Sequence, residues 1–184
     1  MRHPQLLSRE GTCLLVVDVQ ERLLPVINDA DSVVKNIRRL ILGAEVLGLP
    51  VIFTEQYPKG LGPTVKPLAE VLGQSRKGEK ITFSCLADNS LAEAISRTSA
   101  KTLLISGTEA HICVLQTTLD ALAAGYKVHL AADAVGSRDP ENKKIALERM
   151  KSAGAVITCT ESALFEMLVQ AGTEEFRKIS ALVK

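Results

Sequence analysis

The sequence predicts an α/β domain in three layers, a six-stranded parallel sheet with helices on both faces. Three observations point to it. Short apolar runs alternate with stretches of helical periodicity from residue 12 onward. The clearest run, TCLLVV at 12–17, is apolar throughout, which suits a strand buried on both faces. The stretch TLLISGTEAHICVLQTTLDALAAG at 102–125 reads as strand, small-residue corner and helix. With right-handed crossovers, six strands most simply take the order 3-2-1-4-5-6. No repeat, low-complexity tract or linker divides the chain, so residues 1–184 form one domain.

Each element follows from local pattern. Asp18 ends the first strand, and VQERLLPVI reads as a helical turn broken near Pro25. Residues 32–47 place Val33, Ile37, Leu40, Ile41, Ala44 and Leu47 at helical spacing, and Gly48 and Pro50 stop that helix. Residues 49–54 are the second strand, and EQYPKGLGPT is a Pro/Gly-rich loop. A short helix over 67–72 precedes a weak third strand over 80–83. Residues 90–97 are helical, with Ser90 as N-cap. The central stretch supplies strand four and its helix. Strand five covers 127–131, DAVGSRDP is a polar turn, and a helix over 141–152 leads to strand six at 155–158. Two short helices, about 161–170 and 173–182, end the chain.

Composition narrows the function. Apolar residues make up 46% and charged residues 23%, ordinary for a globular protein. A net charge of +1 and 3% aromatics give neither the basic surface nor the stacking platform that nucleic acid requires. No apolar run approaches the roughly 18 residues of a membrane span. The opening residues, MRHPQLLSREG, lack the apolar core of a signal peptide. The cysteines, Cys13, Cys85, Cys113 and Cys159, are widely spaced and form no C-x-x-C pair. A reducing cytoplasm is the expectation, without disulfides or structural zinc. No phosphate-cradling glycine motif and no H-E-x-x-H cluster is present, so neither a nucleotide cofactor nor a metal is expected.

In a doubly wound sheet the ligand crevice lies beyond the carboxyl ends of strands one and four, where the order reverses. Asp18 ends strand one and Cys113 follows strand four, so the topology sets them on either side of that crevice. Cys113 has two readings, a buried small residue or a nucleophile. A helix start collects unpaired N–H groups and the positive end of the macrodipole, which would lower its pKa. Asp18 likewise either caps the next segment or serves as general base. His111 is a poor partner, because positions i and i+2 do not share a helix face. By spacing alone Lys80, inside RKGEK, reads as a solvated surface lysine.

The motifs LLVVDVQERL around Asp18, GEKITFSC around Lys80 and SGTEAHICVLQTTLDALAAGYKVHLAADAVGSR around Cys113 carry a resemblance. With them the chain resembles the isochorismatase-like cysteine hydrolases, which include nicotinamidases, over nearly its whole length. The loop TEQYPKGLGPTV is similar to the branch of isochorismatase domain-containing proteins. The resemblance implies the same sheet order and a homo-oligomer, a dimer or larger. It implies a triad of Asp18, Lys80 and Cys113 acting on a small molecule. It also implies a cis peptide at Thr108–Glu109 and an oxyanion hole made by the backbone N–H groups of Glu109 and Cys113. Nicotinamidases build a metal site from an Asp and two His after strand two. Thr54, Glu55, Gln56 and Tyr57 stand there instead, so no metal is expected. Isochorismatases proper lack the cysteine, so Cys113 favours acyl chemistry on a C–N bond over vinyl-ether cleavage. The alternatives are a catalytically weak scaffold that retains the site, or an isochorismatase-type hydrolase. Gln20, Glu55, Tyr57 and Phe83 are the candidates for the substrate pocket.

Overall fold

A computed structural model describes residues 2–184. The first strand, β1 (Thr12–Val17), is buried at all six positions and forms the centre of the sheet. It pairs in parallel with β2 (Val51–Gln56) on one side and β4 (Thr102–Thr108) on the other. Beyond β2 lies β3 (Arg76–Lys80); beyond β4 lie β5 (Lys127–Gly136) and β6 (Val156–Thr158). The sheet is six-stranded and all parallel, in the order β3-β2-β1-β4-β5-β6.

Alternate residues of the central strands feed two cores. Cys13, Leu15, Val17, Leu103, Ile105 and Leu130 face one layer. That layer is formed by α4 (Asn89–Arg97), α5 (Leu115–Ala123) and α6 (Pro140–Ser152). Leu14, Val16, Leu104 and Ala131 face the other, against Ile37, Leu40, Ile41, Leu164 and Ile179. Here α1 (Ala30–Leu47) packs with α3 (Lys66–Leu72), α7 (Thr160–Leu168) and α8 (Glu174–Val183). Burial on both faces is why the central strands are continuously apolar rather than alternating. A four-residue helix, α2 (Pro58–Leu61), interrupts the loop after β2. Among the described residues no helix is long and apolar enough to cross a membrane.

Four boundaries differ from the sequence pattern. The third strand runs over RKGEK and ends on Lys80 instead of beginning there. Apolar content is a poor guide at a sheet edge, where charged residues are tolerated and discourage pairing with other chains. Ile81 and Phe83, which suggested the strand, are exposed. The fifth strand continues through Ala134 and Val135, both buried, to Gly136, so the first half of DAVGSRDP is strand. The N-cap of α4 is Asp88, whose carboxylate accepts from the Ser90 and Leu91 N–H groups at 3.0 and 3.1 Å. Finally, β4 leads first into a π-helical turn, Ala110–Val114, and only then into α5.

One glycine sets the close approach of β1 and β4. Gly107 has φ of +123°, and a Cβ there would stand 2.1 Å from the Val17 carbonyl oxygen. No other residue fits that space.

Candidate active site

Asp18 stands at the end of β1 in the left-handed region, with φ of 51°. It is wholly buried. It caps no helix. Its Oδ1 accepts from Thr54 Oγ1 at 2.7 Å, and its Oδ2 accepts from Lys80 Nζ at 2.6 Å. The Asp18 N–H donates to the Thr54 carbonyl at 3.2 Å. Its own carbonyl accepts from Thr108 Oγ1 at 2.7 Å. Neighbouring strands on both sides therefore hold this one residue. Backbone in this region is unfavourable for a residue with a Cβ and persists where its surroundings fix it.

Lys80 is not the solvated surface lysine that spacing suggested; it is 2% exposed. Its strand lies two places from β1, and the long side chain crosses the end of β2 to reach Asp18. Its ammonium also donates to Gln56 Oε1 at 2.7 Å, to the Phe83 carbonyl at 3.0 Å and to the Thr82 carbonyl at 3.2 Å. The turn after β3 thus closes over the charge and supplies the oxygens that water would otherwise provide.

Cys113 lies in the π-helical turn and is 6% exposed. Its thiol is pushed up to about 12, which overturns the lowered value expected of a helix start. Burial is the largest cause, followed by the negative charge of Asp18; Lys80 acts in the opposite direction. Cys113 thus rests as a thiol near a carboxylate. Cys85 shares the neighbourhood, pushed up to about 11 by burial and by Asp18. Its N–H donates to Thr117 Oγ1 at 3.0 Å, in keeping with a structural role. Cys13 is buried within β1 and raised to about 12 by burial.

The Thr108–Glu109 peptide is cis. Glu109 carries a buried carboxylate that the sequence reading passed over. Its Oε1 lies 2.6 Å from Arg138 Nε, and its Oε2 accepts from the Arg138 N–H at 3.1 Å. His111 Nδ1 lies 3.4 Å from the same Oε2 and 3.0 Å from Ser137 Oγ. His111 thus has partners of its own away from the thiol. Among the described residues no carbonyl accepts from the Glu109 N–H. The Glu109 carbonyl accepts from Ile112 and Val114 at 3.1 and 3.2 Å, starting the turn that holds Cys113. A glutamate next to the small-residue corner was the only trace of this cluster in the sequence.

The four pocket candidates divide. Gln20 is buried, donates to the Gln56 and Gly62 carbonyls at 3.0 and 2.7 Å, and accepts from the Gln56 N–H at 2.8 Å. Glu55 accepts from the N–H and Oγ1 of Thr64 at 2.7 and 2.9 Å, and its other oxygen lies 2.7 Å from Lys77 Nζ. These side chains brace the loop after β2; Glu55 Oε2 is buried and has the Lys77 ammonium as its ion-pair partner. Tyr57 and Phe83 are about half exposed at the same edge of the sheet. Their backbones bound the Lys80 site, since the Tyr57 N–H donates to the Lys80 carbonyl at 2.9 Å.

A cavity of about 570 Å³ lies elsewhere. Leu49, Ile52, Val71, Leu72, Ala94 and Thr98 line it at the opposite, amino-terminal end of β2 and β3. Chemistry is assigned by the charged groups, not by cavity size. Among the described residues no group of three His, Cys, Asp or Glu side chains is arranged to hold a metal ion.

Comparison with known proteins agrees with this fold. A family profile described as Isochorismatase domain matches residues 12–162. Isochorismatase domain-containing protein 1 of Salmo salar is 35% identical over 173 residues, covering 94% of this chain and 61% of that protein. Isochorismatase domain-containing protein 2 of Danio rerio is 36% identical over 178 residues, covering 96% and 89%. This chain thus spans less than two thirds of the first relative. Among solved structures, MAR1 ribonuclease from Caenorhabditis elegans superposes with a TM-score of 0.91 at 34% identity, covering 96% of this chain and 91% of that one. YcaC from Pseudomonas aeruginosa, solved with hexane-2,5-diol and covalent acrylamide, gives 0.91 at 28% identity, covering 99% and 93%.

Proposed function

This chain belongs to the isochorismatase family, whose fold supports a hydrolase, and we propose that it is a metal-free cysteine hydrolase cleaving a C–N bond of a small amide or related acyl compound. The observation that carries the reading is the Asp18–Lys80 pair, closed to solvent and acting on the Cys113 thiol. A carboxylate beside a protonated thiol is arranged as a general base. In the first step the Cys113 Sγ–H proton passes to Asp18 as sulfur bonds to the carbonyl carbon. Lys80 holds Asp18 in place and balances its charge. The oxyanion is received by the N–H groups of Glu109 and Cys113. As the tetrahedral intermediate collapses, the C–N bond breaks and the leaving nitrogen takes the proton from Asp18. Asp18 then takes a proton from water, the oxygen attacks the thioester, and the C–S bond breaks. The thiol regains its proton, and the net reaction is amide plus water giving acid plus amine.

The YcaC neighbour is described with covalent acrylamide, an alkylating agent, which speaks for a reactive group in that protein and not for amide cleavage. The MAR1 neighbour is named a ribonuclease. For this chain a net charge of +1 and a nearly buried thiol favour a small acyl substrate over RNA. The reading includes a homo-oligomer and a cytoplasmic setting, which keeps the four free cysteines reduced. The raised thiol also favours a second reading, a scaffold that retains the site with little turnover. Both are tested by incubating the protein with a panel of small amides and an RNA oligonucleotide, alongside Cys113→Ala. Turnover of an amide that vanishes in the variant supports the hydrolase. Amide turnover that survives in Cys113→Ala overturns it, and folded protein inert toward the panel supports the scaffold.

A further inference from the structure

The Glu109 side chain has no part in the reaction as written, yet it is almost fully buried and holds three polar contacts. Three features meet at this residue. Its N–H has no carbonyl partner among the described residues, and its carbonyl starts the turn that carries Cys113. Its carboxylate is fastened to the end of β5 through both the guanidinium and the backbone N–H of Arg138. His111, itself joined to Ser137, braces the second oxygen. Ser137 in turn accepts from the Asn28 N–H at 3.0 Å, which ties the cluster to the loop after β1. A buried carboxylate that is hydrogen-bonded at Oε2 and ion-paired with a guanidinium at Oε1 leaves the attached peptide unit little freedom to rotate.

We propose that Arg138 and the Glu109 carboxylate are positioning residues: together they fix the orientation of the Glu109 N–H toward the oxyanion and of the turn that presents Cys113. This rests on the acyl-transfer reading above. It separates two properties of the site. Reactivity of sulfur toward an alkylating agent depends on Asp18 and Lys80 and needs no oxyanion donor. Acylation by an ester develops an oxyanion and does need one.

The test compares two probes on the same sulfur, iodoacetamide for alkylation and p-nitrophenyl acetate for acylation, each followed at Cys113 by mass spectrometry. Arg138 is more than half exposed, so Arg138→Met removes the clamp without opening the core. The expected result is a fall in acylation on the order of 10- to 100-fold, as displacement of a catalytic group by a fraction of an ångström produces. Alkylation should stay within about threefold, because no oxyanion forms in that step. Arg138→Lys should recover part of the loss, since it keeps the charge but not the planar guanidinium whose Nε faces Glu109. Glu109→Gln, which keeps the shape, should lower acylation in the same selective way. An acylation-to-alkylation ratio equal to wild type in both Arg138→Met and Glu109→Gln overturns this inference and leaves the acyl-transfer reading intact. A wild-type protein that is alkylated at Cys113 but never acylated there overturns both.

Discussion

Lys80 Nζ lies 2.6 Å from Asp18 Oδ2, and neither side chain is open to solvent. Two charges taken from water each lose several kcal/mol of hydration, and their attraction returns it only where the remaining donors and acceptors are also satisfied. Thr54, Gln56 and two carbonyls of the 82–83 turn do that here. The pair is thus sensitive to the loss of either member.

Replacing Lys80 with Met leaves the Asp18 carboxylate buried and unpaired. We expect Lys80→Met to destabilise the protein by about 3–5 kcal/mol, and Asp18→Asn/Lys80→Met to recover a large part of that loss. Urea unfolding of the two variants measures both. A single variant as stable as wild type would show that the two charges do not depend on each other.

Asp18→Asn should move sulfur reactivity and turnover in opposite directions. Asp18 favours the protonated Cys113 thiol through the negative charge of its two carboxylate oxygens. Without that charge the thiol titrates lower, and each pKa unit gives about tenfold more thiolate at a given pH below both values. Alkylation at pH 9 should therefore speed up while amide hydrolysis, which needs the base, disappears. In wild type, labelling should still be rising at pH 10, because the thiol sits at about 12. Slower labelling of the variant would remove Asp18 as the group that holds the proton.

Alkaline pH should weaken the fold through its buried thiols. For Cys13 the folded value is about 12, raised from 9.0 by burial. A raised folded value means the unfolded chain gives up its proton first, so this stability is complete below about pH 9 and is lost between there and pH 12. Each such thiol contributes about 1 kcal/mol per pH unit in that window. Cys13→Ala should lower stability at pH 8 by leaving a small void, yet flatten its decline between pH 9 and 10.5. Unfolding curves with identical slopes against pH would show that Cys13 does not titrate as described.

Gly107→Ala should strike fold and site together. The added methyl would meet the carbonyl oxygen and the nitrogen of Val17 at 2.1 and 2.6 Å, both rigid backbone. The loss expected is roughly 3 kcal/mol or more. It falls next to Thr108, whose hydroxyl holds the Asp18 carbonyl. A drop of less than about 0.5 kcal/mol, the range of an ordinary surface change, would mean that β4 can move away from β1 freely.

Much of this was legible in the chain. Strands buried on both faces announce themselves as apolar runs, which located β1 and β4 and with them the carboxyl-terminal edge that carries Asp18 and Cys113. The edge strand was misplaced because RKGEK carries charges where the pattern seeks apolar residues. Lys80 could not be paired with Asp18 by spacing, since 62 residues separate them and only the sheet order brings them together. The direction of the Cys113 shift was missed for a related reason. A helix start is visible locally, but burial and a carboxylate from another strand, the two largest causes of the shift, are not. Gln20 and Glu55 look like ligands for a substrate in one dimension and prove to be braces of a loop in three.

The sheet order has one more consequence. The lysine on which Asp18 depends rides on the border strand, whose sole strand partner among the described residues is β2. Its hold on the helical layer runs through Gly78, over which Leu91 is seated so closely that a Cβ would meet it at 2.1 Å. Short border strands detach at a fraction of the free energy of whole-molecule unfolding. Fraying of five residues, Arg76 to Lys80, would withdraw the ammonium while β1, β4 and both cores stay intact. Denaturant should therefore silence the protein before it melts. Amide protons of β3 should exchange with solvent well ahead of those in β1, and the denaturant concentration that opens them should match the one at which turnover of the proposed reaction is lost.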